Sequence, residues 1–410
     1  MTAPDRALRL LYVTRQLPPR ARGGIGSYVM ALAAMMRDAG HTVTVLSAAP
    51  GQVRSTEQLD GITIERFPGV GPQRLWRRLL GGGRLSVARL HGALSAWWAL
   101  RRLPGDFDVI EAPEWKAEGL LLPRRRRGSL VVHLHLAHEV VRSWDAEAGP
   151  PRSRVGELLE RATARRALAR TATSHLSSTL PGARPWLPHR EVVVVPPPLD
   201  AERWAGTRPV DATDPVVLFV GHLERRKAPE VLLSALGLLA GEVAGLRAVF
   251  VGRPLRHASG RRYDDHLRAE ASRLGVDIEV RPPSADPREM RELYDAARAV
   301  VVSSRFETLS MVAMEAAAAG RPVVMTSSVG AVEWLGDAVP SVVVAPDDEV
   351  ALAAALRPLL LDPGEALRCA ALLRQRALEV CAPRAIVESR LAVYRATASR
   401  LRDRLEPVPC

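Results

Sequence analysis

Short apolar runs alternate with longer amphipathic stretches along most of the chain. In the first half, the apolar runs predict buried strands at 9–14, 107–112 and 129–137. The stretches 28–40 and 155–170 repeat apolar residues every three or four positions, which predicts helices between the strands. A regular order of strand and helix is typical of a parallel sheet that is covered by helices on both faces.

The same order starts again after a run of three prolines at 196–198. Further strands are predicted at 215–221, 246–252 and 299–304, each followed by an amphipathic stretch. Because consecutive prolines form a stiff, extended connector, we place a domain boundary there. The pattern therefore predicts an α/β protein with two doubly wound, Rossmann-like domains, whose ligands bind at the carboxyl ends of the strands.

The two predicted domains span residues 1–198 and 199–383. A final segment, 384–410, contains a helical pattern that is too long and too late to be an ordinary member of the second sheet. We therefore treat it as a separate element.

Charge is distributed unevenly between the two halves. The chain carries 57 basic and 45 acidic side chains, a net charge of +12, and residues 1–200 account for all of it with 29 basic and 17 acidic residues. A basic surface attracts anions such as phospholipid headgroups, nucleic acid or phosphorylated substrates. The alternative is an arginine-rich composition that serves solubility alone.

Composition excludes several classes of protein. Hydrophobic residues make up 47% of the chain and charged residues 25%, which is typical of a soluble globular protein. No run of about 18 apolar residues predicts a spanning helix, and the start of the chain lacks a secretory pattern. The three cysteines suggest neither disulfides nor a metal site. We expect a cytoplasmic protein, with attachment to a membrane surface as an open alternative.

The segment "SSRFETLSMVAMEAAAAGRPVV" carries the strongest chemical signal. Glu307 and Glu315 stand eight positions apart, across the end of a strand, a short turn and the start of a helix. Ser310 is the predicted N-cap of that helix. The amides of Leu309, Ser310 and Met311, with the positive end of the helix dipole, would form a site for a phosphate. Glu315, about one turn further on, would reach ribose hydroxyls.

This segment resembles the Glu-x7-Glu motif of retaining nucleotide-sugar glycosyltransferases of the GT-B fold, in particular glycosyltransferase family 4. The resemblance covers nearly the whole chain and includes "PPRARGGIGSYVMALAAMMRDAGHTVTVL", "DVIEAPEWKAEGL", "VGHLERRKAPEVLLSAL" and "GRPVVMTSSVGAVEWL". It implies an N-terminal acceptor-binding domain, a C-terminal domain that binds a nucleotide sugar, and a last helix that returns to the first domain.

The resemblance also implies roles in the "GHLERRK" segment. Lysine occurs only at positions 116 and 227, and Lys227 matches the family's lysine that contacts the donor diphosphate. A compact ammonium there would stabilise the leaving group, whereas the alternative is a solvated surface lysine. Gly221 and His222 would also contact the donor. His222 departs from the family's arginine, which shifts part of the phosphate contact to Arg225 or Arg226.

In the first domain, Gly23 and Gly24 offer bare backbone that can approach a ligand closely, although their spacing fails the dinucleotide fingerprint. By resemblance these amides face the donor phosphate or the acceptor. His135 takes the family position that contacts the transferred sugar near the reacting carbon. His133 is interpreted as structural, and a zinc site formed with His138 is the less favoured alternative.

Acidic residues in and near the predicted strand 107–112 each have two interpretations. Glu111 and Glu114 would bind the acceptor or merely cap a helix. Asp106 and Asp108 imitate an Asp-x-Asp metal motif, but their place just before a buried strand favours a strand-entry turn. We expect no catalytic metal and no cofactor.

The resemblance implies a retaining, metal-independent hexosyltransferase, with Lys227, Glu307 and His135 as catalytic residues. The donor is expected to be a nucleotide diphosphate sugar, with UDP or GDP favoured, and the acceptor a small molecule such as a natural-product, thiol or cyclitol intermediate. A lipid or polysaccharide acceptor at a membrane is the runner-up, because the basic stretch 74–102 is amphipathic. Two alternative functions remain open: a nucleotide-sugar 2-epimerase and a non-catalytic nucleotide-sugar binder. We expect no nucleic-acid partner, and the oligomeric state is not predicted.

Overall fold

The structure is a computed structural model of the 410-residue chain. It describes the following residues: 6–17, 24–49, 53–70, 84–123, 127–136, 155–179, 192–200, 204, 208–257, 259–284 and 286–402. These residues form two compact units. The first contains the described residues up to Pro198 together with those from Pro383 onwards, and the second contains Leu199–Ala382.

Unit 1 is built on an eight-stranded sheet with the order β3-β4-β2-β1-β5-β6-β7-β8. Its strands are β1 (Arg9–Val13), β2 (Thr42–Ala48), β3 (Ser55–Leu59), β4 (Ile62–Phe67), β5 (Val109–Pro113), β6 (Ser129–Leu134), β7 (Ala169–Ala172) and β8 (Val192–Val194). All neighbours pair in parallel except β3 and β4, which form an antiparallel hairpin at the edge.

The helices of unit 1 cover both faces of this sheet. They are α1 (Gly24–Asp38), α2 (Arg84–Leu100), α3 (Val155–Arg166), α4 (His175–Thr179) and α12 (Pro383–Arg402). Alternate residues of a strand point to opposite faces. On β1, Leu11 and Val13 therefore pack in the core cluster beneath α2, whereas Tyr12 meets Tyr394 of α12 on the other face. Helix α12 thus belongs to the first unit although it follows the second in sequence.

Unit 2 contains an all-parallel, six-stranded sheet with the order β11-β10-β9-β12-β13-β14. Its strands are β9 (Val216–Val220), β10 (Arg247–Val251), β11 (Asp277–Arg281), β12 (Ala299–Val302), β13 (Val323–Thr326) and β14 (Val343–Val344). The chain order changes direction between β9 and β12. The carboxyl ends of these two strands therefore flank a crevice of the kind in which open α/β sheets bind ligands.

The helices of unit 2 are α5 (Pro229–Leu239), α6 (Tyr263–Leu274), α7 (Pro287–Ala296), α8 (Met311–Ala318), α9 (Val332–Leu335), α10 (Glu349–Leu361) and α11 (Pro363–Val380). Helix α5 packs against α6 and α10, and α8 packs against α11. Several helices begin with an aspartate that accepts hydrogen bonds from free amides, as Asp348 does from Ala351 N at 2.8 Å and Asp362 from Gly364 N at 2.8 Å.

The prediction of two doubly wound α/β sheets is confirmed. The β3–β4 hairpin was not predicted, because "STEQL" is polar and exposed at the sheet edge and gives no apolar run. Helix α1 begins four residues before the predicted start at 28, since Gly24 and Gly26 weaken the helical signal. Of the basic stretch 74–102, the described part forms α2 and the turn after it.

Candidate active site

Two glycine turns shape the carboxyl edge of the unit 2 sheet. Strands β9 and β10 end at Val220 and Val251, and Gly221 and Gly252 follow them. The backbones approach so closely that a Cβ atom on Gly252 would lie 1.7 Å from the carbonyl oxygen of Gly221. Glycine is therefore required at position 252, and the turn that carries Gly221 and His222 is held against its neighbour.

Lys227 ends a single 3₁₀ turn, Arg225–Lys227, that leads into α5. The next residue, Ala228, adopts a left-handed conformation with φ 49°, which reverses the chain before the helix. The hydroxyl of Ser303 donates to the carbonyl oxygens of Lys227 and Ala228, at 3.2 and 2.8 Å. The backbone that presents Lys227 is thereby fixed to the end of β12.

The ammonium of Lys227 is paired with the carboxylate of Glu307. The distance from Nζ to Oε1 is 2.6 Å, and the two side chains are only 14% and 16% exposed. The second carboxylate oxygen, Oε2, accepts a hydrogen bond from Ser304 Oγ at 3.1 Å. The predicted solvated alternative for Lys227 is therefore wrong, because the side chain is largely buried and ion-paired.

Burial and pairing oppose one another in this ion pair. Burial lowers the pKa of Lys227, and the negative charge of Glu307 offsets part of that effect. For Glu307, burial alone would raise the pKa, but the charges of Lys227 and Arg226 and the hydrogen bonds from Lys227 and Ser304 hold it below its ordinary value. The two charges therefore sustain each other, and the ammonium of Lys227 is held at the edge of the sheet by the carboxylate of Glu307.

The turn that carries Glu307 is tied to the loop after β13. Glu307 N donates to the carbonyl oxygen of Ser328 at 3.1 Å, and Gly330 N donates to that of Glu307 at 2.9 Å. These two bonds form a short parallel bridge between Glu307 and Val329. The carboxylate of Glu307 consequently projects from a backbone held on both sides.

Helix α8 starts immediately after this turn, and the predicted N-cap is confirmed. Ser310 adopts φ 83°, and its hydroxyl accepts a hydrogen bond from Ala313 N at 3.4 Å. Within the described part of the chain, the amides of Leu309, Ser310 and Met311 donate no hydrogen bond. Unsatisfied amides at a helix start point outwards along the helix dipole, an arrangement that binds anions.

Glu315 lies on α8, where Tyr294 orients its carboxylate. The Tyr294 hydroxyl donates to Oε2 at 3.0 Å, and this tyrosine is fully buried with its ring edge-on to Trp204 at 5.1 Å. Burial and the negative charge of Glu315 raise the pKa of Tyr294 well above its usual value. The phenol therefore stays protonated and holds one carboxylate oxygen in place.

The surroundings of His222 disfavour a positive charge on its ring. Partial burial lowers the pKa of His222, and Lys227, Arg226 and Arg253 lower it further, against the opposing effect of Glu224. Arg226 is already engaged, since its guanidinium pairs with Glu224 at 2.5 Å and donates to the carbonyl oxygen of Phe306 at 3.0 Å.

In unit 1, His133 near the end of β6 and His135 just after it lie side by side, as their spacing predicted. Their ring centroids are 4.7 Å apart, and the ring of Tyr28 stacks on His133 at 4.6 Å and meets His135 edge-on at 5.4 Å. His133 is buried, and its Nδ1 atom is 2.8 Å from Thr171 Oγ1. The interpretation of His133 as structural is confirmed, and His135 is the more exposed of the two.

The structure corrects the prediction that Glu111 binds the acceptor. Glu111 is only 4% exposed, and its carboxylate contacts Arg390 Nη1 at 3.3 Å and accepts from the Tyr394 hydroxyl at 2.6 Å. The residue therefore anchors α12 inside unit 1, and it is too deeply buried to meet a substrate. Glu114 is also buried, at 2% exposure, and its side chain does not cap the 3₁₀ turn that follows.

The Asp-x-Asp segment is a strand-entry turn, as expected. Asp108 accepts a hydrogen bond from Arg9 N at 2.8 Å through Oδ2, and its own amide donates to the carbonyl oxygen of Arg9 at 2.8 Å. Asp108 thus starts the pairing of β5 with β1. Asp106 pairs with Arg127 at 3.3 Å.

Comparisons with known proteins agree with this geometry. The family model described as "Glycosyl transferase 4-like domain" matches residues 23–198, and the model described as "Glycosyl transferases group 1" matches residues 200–376. The D-inositol 3-phosphate glycosyltransferase 1 of Catenulispora acidiphila is 32% identical over 400 residues, which cover 90% of this chain and 91% of that relative.

The chain is a GT-B glycosyltransferase of family 4.

Other relatives of this glycosyltransferase carry different names. The D-inositol 3-phosphate glycosyltransferase of Actinosynnema mirum is 33% identical over 83% of this chain and 85% of its own. The glycogen synthase of Mycobacterium tuberculosis is 29% identical over 90% of both. The enzyme therefore belongs with transferases that use nucleotide-sugar donors, whereas the names of the relatives differ in the acceptor.

Solved structures share the fold at lower sequence identity. The sucrose-phosphate synthase of Thermosynechococcus elongatus has a TM-score of 0.74 and 19% identity, and the match covers 95% of this chain and 99% of that one. The Anabaena protein HepE, solved in complex with UDP, has a TM-score of 0.69 and 20% identity, with 95% and 100% covered. These matches establish the GT-B fold.

Some predicted features of the glycosyltransferase lie outside the described residues, namely Gly23 and His138. Gly24 is the first residue of α1, and a Cβ atom there would meet nothing within 4 Å. The described residues contain no group of three or more histidine, cysteine, aspartate or glutamate side chains suited to a metal ion. Metal-independent transfer therefore stays a prediction.

Among the residues that the structure describes, no helix is both long and apolar enough to span a bilayer. The described half of the basic stretch, α2, packs with several side chains in the core of unit 1.

Sequence reasoning missed the residues that orient the site in this glycosyltransferase. They are Tyr28, Tyr294, Ser303, Ser304 and Arg390. Each lies far in sequence from the residue it contacts, except Ser304. The adjacent serines in "VVSSRFE" were the available signal, because hydroxyls at the end of a buried strand need partners.

Proposed function

We propose that this glycosyltransferase moves a sugar, with retention of configuration at the anomeric carbon, from a nucleotide diphosphate sugar to a small acceptor that bears hydroxyl and phosphoryl groups. UDP or GDP is the proposed nucleotide. The observation that carries the proposal is the buried pair of Lys227 and Glu307, at 2.6 Å, next to the unsatisfied amides at the start of α8.

Lys227 and the α8 amides are the proposed diphosphate contacts. Negative charge grows on the diphosphate as the sugar–phosphate bond breaks, and a fixed ammonium and oriented amides stabilise that charge without rearranging. Glu307 keeps the ammonium charged and aimed, because its carboxylate counteracts the effect of burial on Lys227. It also offers its remaining hydrogen-bonding capacity to hydroxyls of the donor sugar.

Glu315 is the proposed ligand of the ribose. A carboxylate accepts from two neighbouring hydroxyl groups, and the Tyr294 hydrogen bond fixes its orientation. Gly221 brings bare backbone to the diphosphate, and His222 donates one hydrogen bond from a neutral ring.

Retention results when the acceptor attacks the anomeric carbon on the same face that the diphosphate leaves, with assistance from the leaving diphosphate. The motif supplies no carboxylate at a position suited to a covalent sugar intermediate, since Glu307 is bound to Lys227 and Ser304. His135, which is partly exposed beside Tyr28, is proposed to contact the transferred sugar near the reacting carbon.

A small phosphorylated polyol, such as a cyclitol phosphate, is the favoured acceptor. Two relatives at 32% and 33% identity are named for D-inositol 3-phosphate, and the net charge of +12 arises entirely from residues 1–200. The basic half would attract such an anion. A polysaccharide acceptor is the second candidate, because a glycogen synthase is 29% identical over 90% of the chain.

The test begins with thermal unfolding in the presence of UDP, GDP, ADP and TDP sugars. The stabilising donor is then incubated with inositol phosphates or with glycogen, and the product's anomeric configuration is read by NMR. The proposal expects transfer to the small acceptor with the donor's configuration. Inverted product would refute retention, donor turnover without acceptor would indicate an epimerase, and tight binding without turnover would indicate a binding protein.

A further inference from the structure

Unit 1 contains a cavity between the sheet and α2. It lies at the carboxyl ends of β1, β2 and β4 and offers about 30 Å³ to the centres of water-sized groups. Its apolar wall consists of Val13, Leu46, Phe67, Ala96 and Ala99. The carboxyl ends of parallel strands are where doubly wound sheets bind ligands, so the position alone invites a functional interpretation.

Ser47 is the first polar residue of this cavity. It lies on β2, is only 4% exposed, and lines the cavity. Its Oγ atom has no hydrogen-bond partner among the described residues. Buried hydroxyls in folded proteins almost always have a partner, and leaving one unpaired is unfavourable. The unpaired hydroxyl therefore points to a ligand as its missing partner.

Arg15 is the second polar residue, and a glycine makes room for it. A Cβ atom on Gly92 of α2 would lie 2.4 Å from Arg15 Nη1, so the guanidinium rests on the bare backbone of the helix. The backbone of Arg15 is fixed as well, because its amide donates to Glu118 Oε2 at 3.1 Å. Both Arg15 and Gly92 line the cavity.

The third polar side chain in the wall, Ser95, is already satisfied. Its Oγ atom donates to the carbonyl oxygen of His91 at 2.6 Å and accepts from Val70 N at 3.1 Å. Ser95 therefore shapes the cavity by holding the chain after β4 against α2. The other two polar side chains in the wall, Ser47 and Arg15, carry a hydroxyl and a guanidinium, and both groups are hydrogen-bond donors.

We propose that this cavity is a subsite for a phosphoryl group of the acceptor, bound by Arg15 and Ser47. Phosphate oxygens accept hydrogen bonds from both side chains, and arginine suits them because its donors are arranged as a fork. The innermost part has room for about two water-sized groups, which fits a phosphoryl substituent and not a whole sugar ring. The carbon skeleton of the acceptor would lie at the mouth, towards Phe67. This inference rests on the proposed transfer to a phosphorylated acceptor.

Binding is tested without any donor, so that its outcome is separate from that of the transfer assay. Calorimetry compares D-inositol 3-phosphate with unphosphorylated inositol and with inorganic phosphate on the full chain. We expect Ser47→Ala to weaken D-inositol 3-phosphate about 10-fold and Arg15→Gln about 100-fold, because charge-assisted bonds are the stronger ones. Gly92→Ala, which displaces the guanidinium, should act in the same direction as Arg15→Gln.

Matched controls are Ser399→Ala on the exposed side of α12 and Arg6→Gln, whose side chain is 66% exposed. Both should bind like the unmodified chain. Equal affinity for inositol and its phosphate, or unchanged affinity in the Ser47 and Arg15 variants, overturns the subsite. Vesicles containing phosphatidylinositol phosphate form a further arm: preference for them over the soluble phosphate would assign the phosphoryl group to a lipid.

A second variant tests the proposal if the Ser47→Ala or Arg15→Gln protein fails to fold. Ser47→Cys, made together with Cys410→Ser, places a thiol in the cavity, and a small methanethiosulfonate reagent reports its accessibility while Cys369 and Cys381 remain buried. We expect D-inositol 3-phosphate to slow this modification at least 5-fold and inositol to leave it unchanged. Equal rates with and without the phosphate would contradict the proposal.

Discussion

At the scale of single residues, the site of this glycosyltransferase depends on charges that are only partly shielded from water. Lys227 and Glu307 are each less than one fifth exposed, so neither charge would be stable there without the other. Glu307 is therefore a structural requirement for the ammonium as well as a proposed ligand of the donor sugar. The same reasoning explains why the sequence uses a lysine here among so many arginines: a point charge at the end of a flexible stem pairs with one oxygen.

Replacing Lys227 tests this interpretation directly. We expect Lys227→Ala to lower kcat about 10²–10³-fold, because the leaving diphosphate loses one preorganised hydrogen-bonding cation. Lys227→Arg should recover only part of the rate, since a planar fork does not fit the position of the ammonium. Steady-state kinetics with the stabilising donor measure both.

The control for Lys227 is Arg273→Ala, which removes an exposed cation of α6 that is 67% exposed and paired with Glu270. Its kcat should stay within twofold of that of the unmodified enzyme. A Lys227→Ala variant that folds and turns over at the normal rate would contradict the proposed role of the ammonium.

Glu118 provides a prediction on pH. Burial raises the pKa of Glu118 to about 7, although Arg15 and Lys116 act against that effect. The folded state thus binds this proton more tightly than the unfolded state does. The resulting stabilisation is complete below about pH 4.5 and is lost as the pH rises through 7.

The variant Glu118→Gln carries a neutral side chain at every pH. We therefore expect its free energy of unfolding, relative to the unmodified chain, to increase between pH 4.5 and 7.5, by at most about 3 kcal/mol. Urea unfolding at several pH values measures the difference. Glu388→Gln, at an exposed position of α12, should show no such trend. If the difference in the free energy of unfolding between the two proteins did not change with pH, Glu118 would not be protonated preferentially in the folded state.

At the scale of elements, α12 is the clearest case of a helix placed by buried polar contacts. Arg390 is fully buried, pairs with Glu111 of β5 at 3.3 Å and donates to Thr171 of β7 at 3.2 Å. Its guanidinium also lies over the ring of Tyr28, at 5.5 Å from the centroid. Tyr28 in turn stacks on His133, so the helix is linked through one ring to the histidines at the end of β6.

Replacing Arg390 should destabilise unit 1. We expect Arg390→Met to reduce the free energy of unfolding by about 3–5 kcal/mol, because it leaves the Glu111 carboxylate buried without its cation. The double variant with Glu111→Gln should recover part of the loss, since no charge then remains unpaired. Denaturant unfolding followed by circular dichroism measures both.

The same helix supplies the control. Arg384→Met changes an arginine that is 89% exposed and pairs with Glu388 at the surface, so the expected change is below about 1 kcal/mol. If Arg390→Met were as mild as Arg384→Met, the buried pair would not be what anchors α12.

At the scale of the whole molecule, the chain forms two units, each with its own sheet and core. The residues proposed to hold the ribose and diphosphate of the donor, from Gly221 to Glu315, lie in unit 2. His135 and the cavity beneath α2 lie in unit 1. Donor binding and acceptor binding are therefore assigned to separately folded parts of the chain, which agrees with the concentration of net positive charge in residues 1–200.

This division predicts that unit 2 binds the donor nucleotide by itself. Residues 199–382, expressed alone, should fold cooperatively and bind the preferred nucleoside diphosphate within about 10-fold of the affinity of the whole chain, because every proposed contact is present. Transfer should be abolished, since His135 is missing. Calorimetry on the isolated unit and on its Lys227→Ala variant measures both points. A folded unit that fails to bind would place essential donor contacts in unit 1.

Much of the proposed donor site was predictable because its signals are local. Ser310 and α8 follow from capping chemistry within a few residues, and Glu307 and Glu315 are separated by a fixed turn and a helix start. The assignment of Glu111 to the acceptor was wrong for the opposite reason. Its partners, Arg390 and Tyr394, are about 280 residues away in sequence, and no local pattern predicts these contacts.

The sequence by itself determined two mainly parallel sheets, the break at the three prolines and, apart from the β3–β4 hairpin, the alternation of strands and helices, because hydrophobic periodicity and turn residues act over short distances. The tertiary structure alone decided which polar groups are buried together. It paired Lys227 with Glu307, aligned Tyr294 with Glu315, returned α12 to unit 1 and left the Ser47 hydroxyl, in a cavity, without a partner among the described residues. Burial and distance set the charge of each group, and both arise only when remote segments pack against each other.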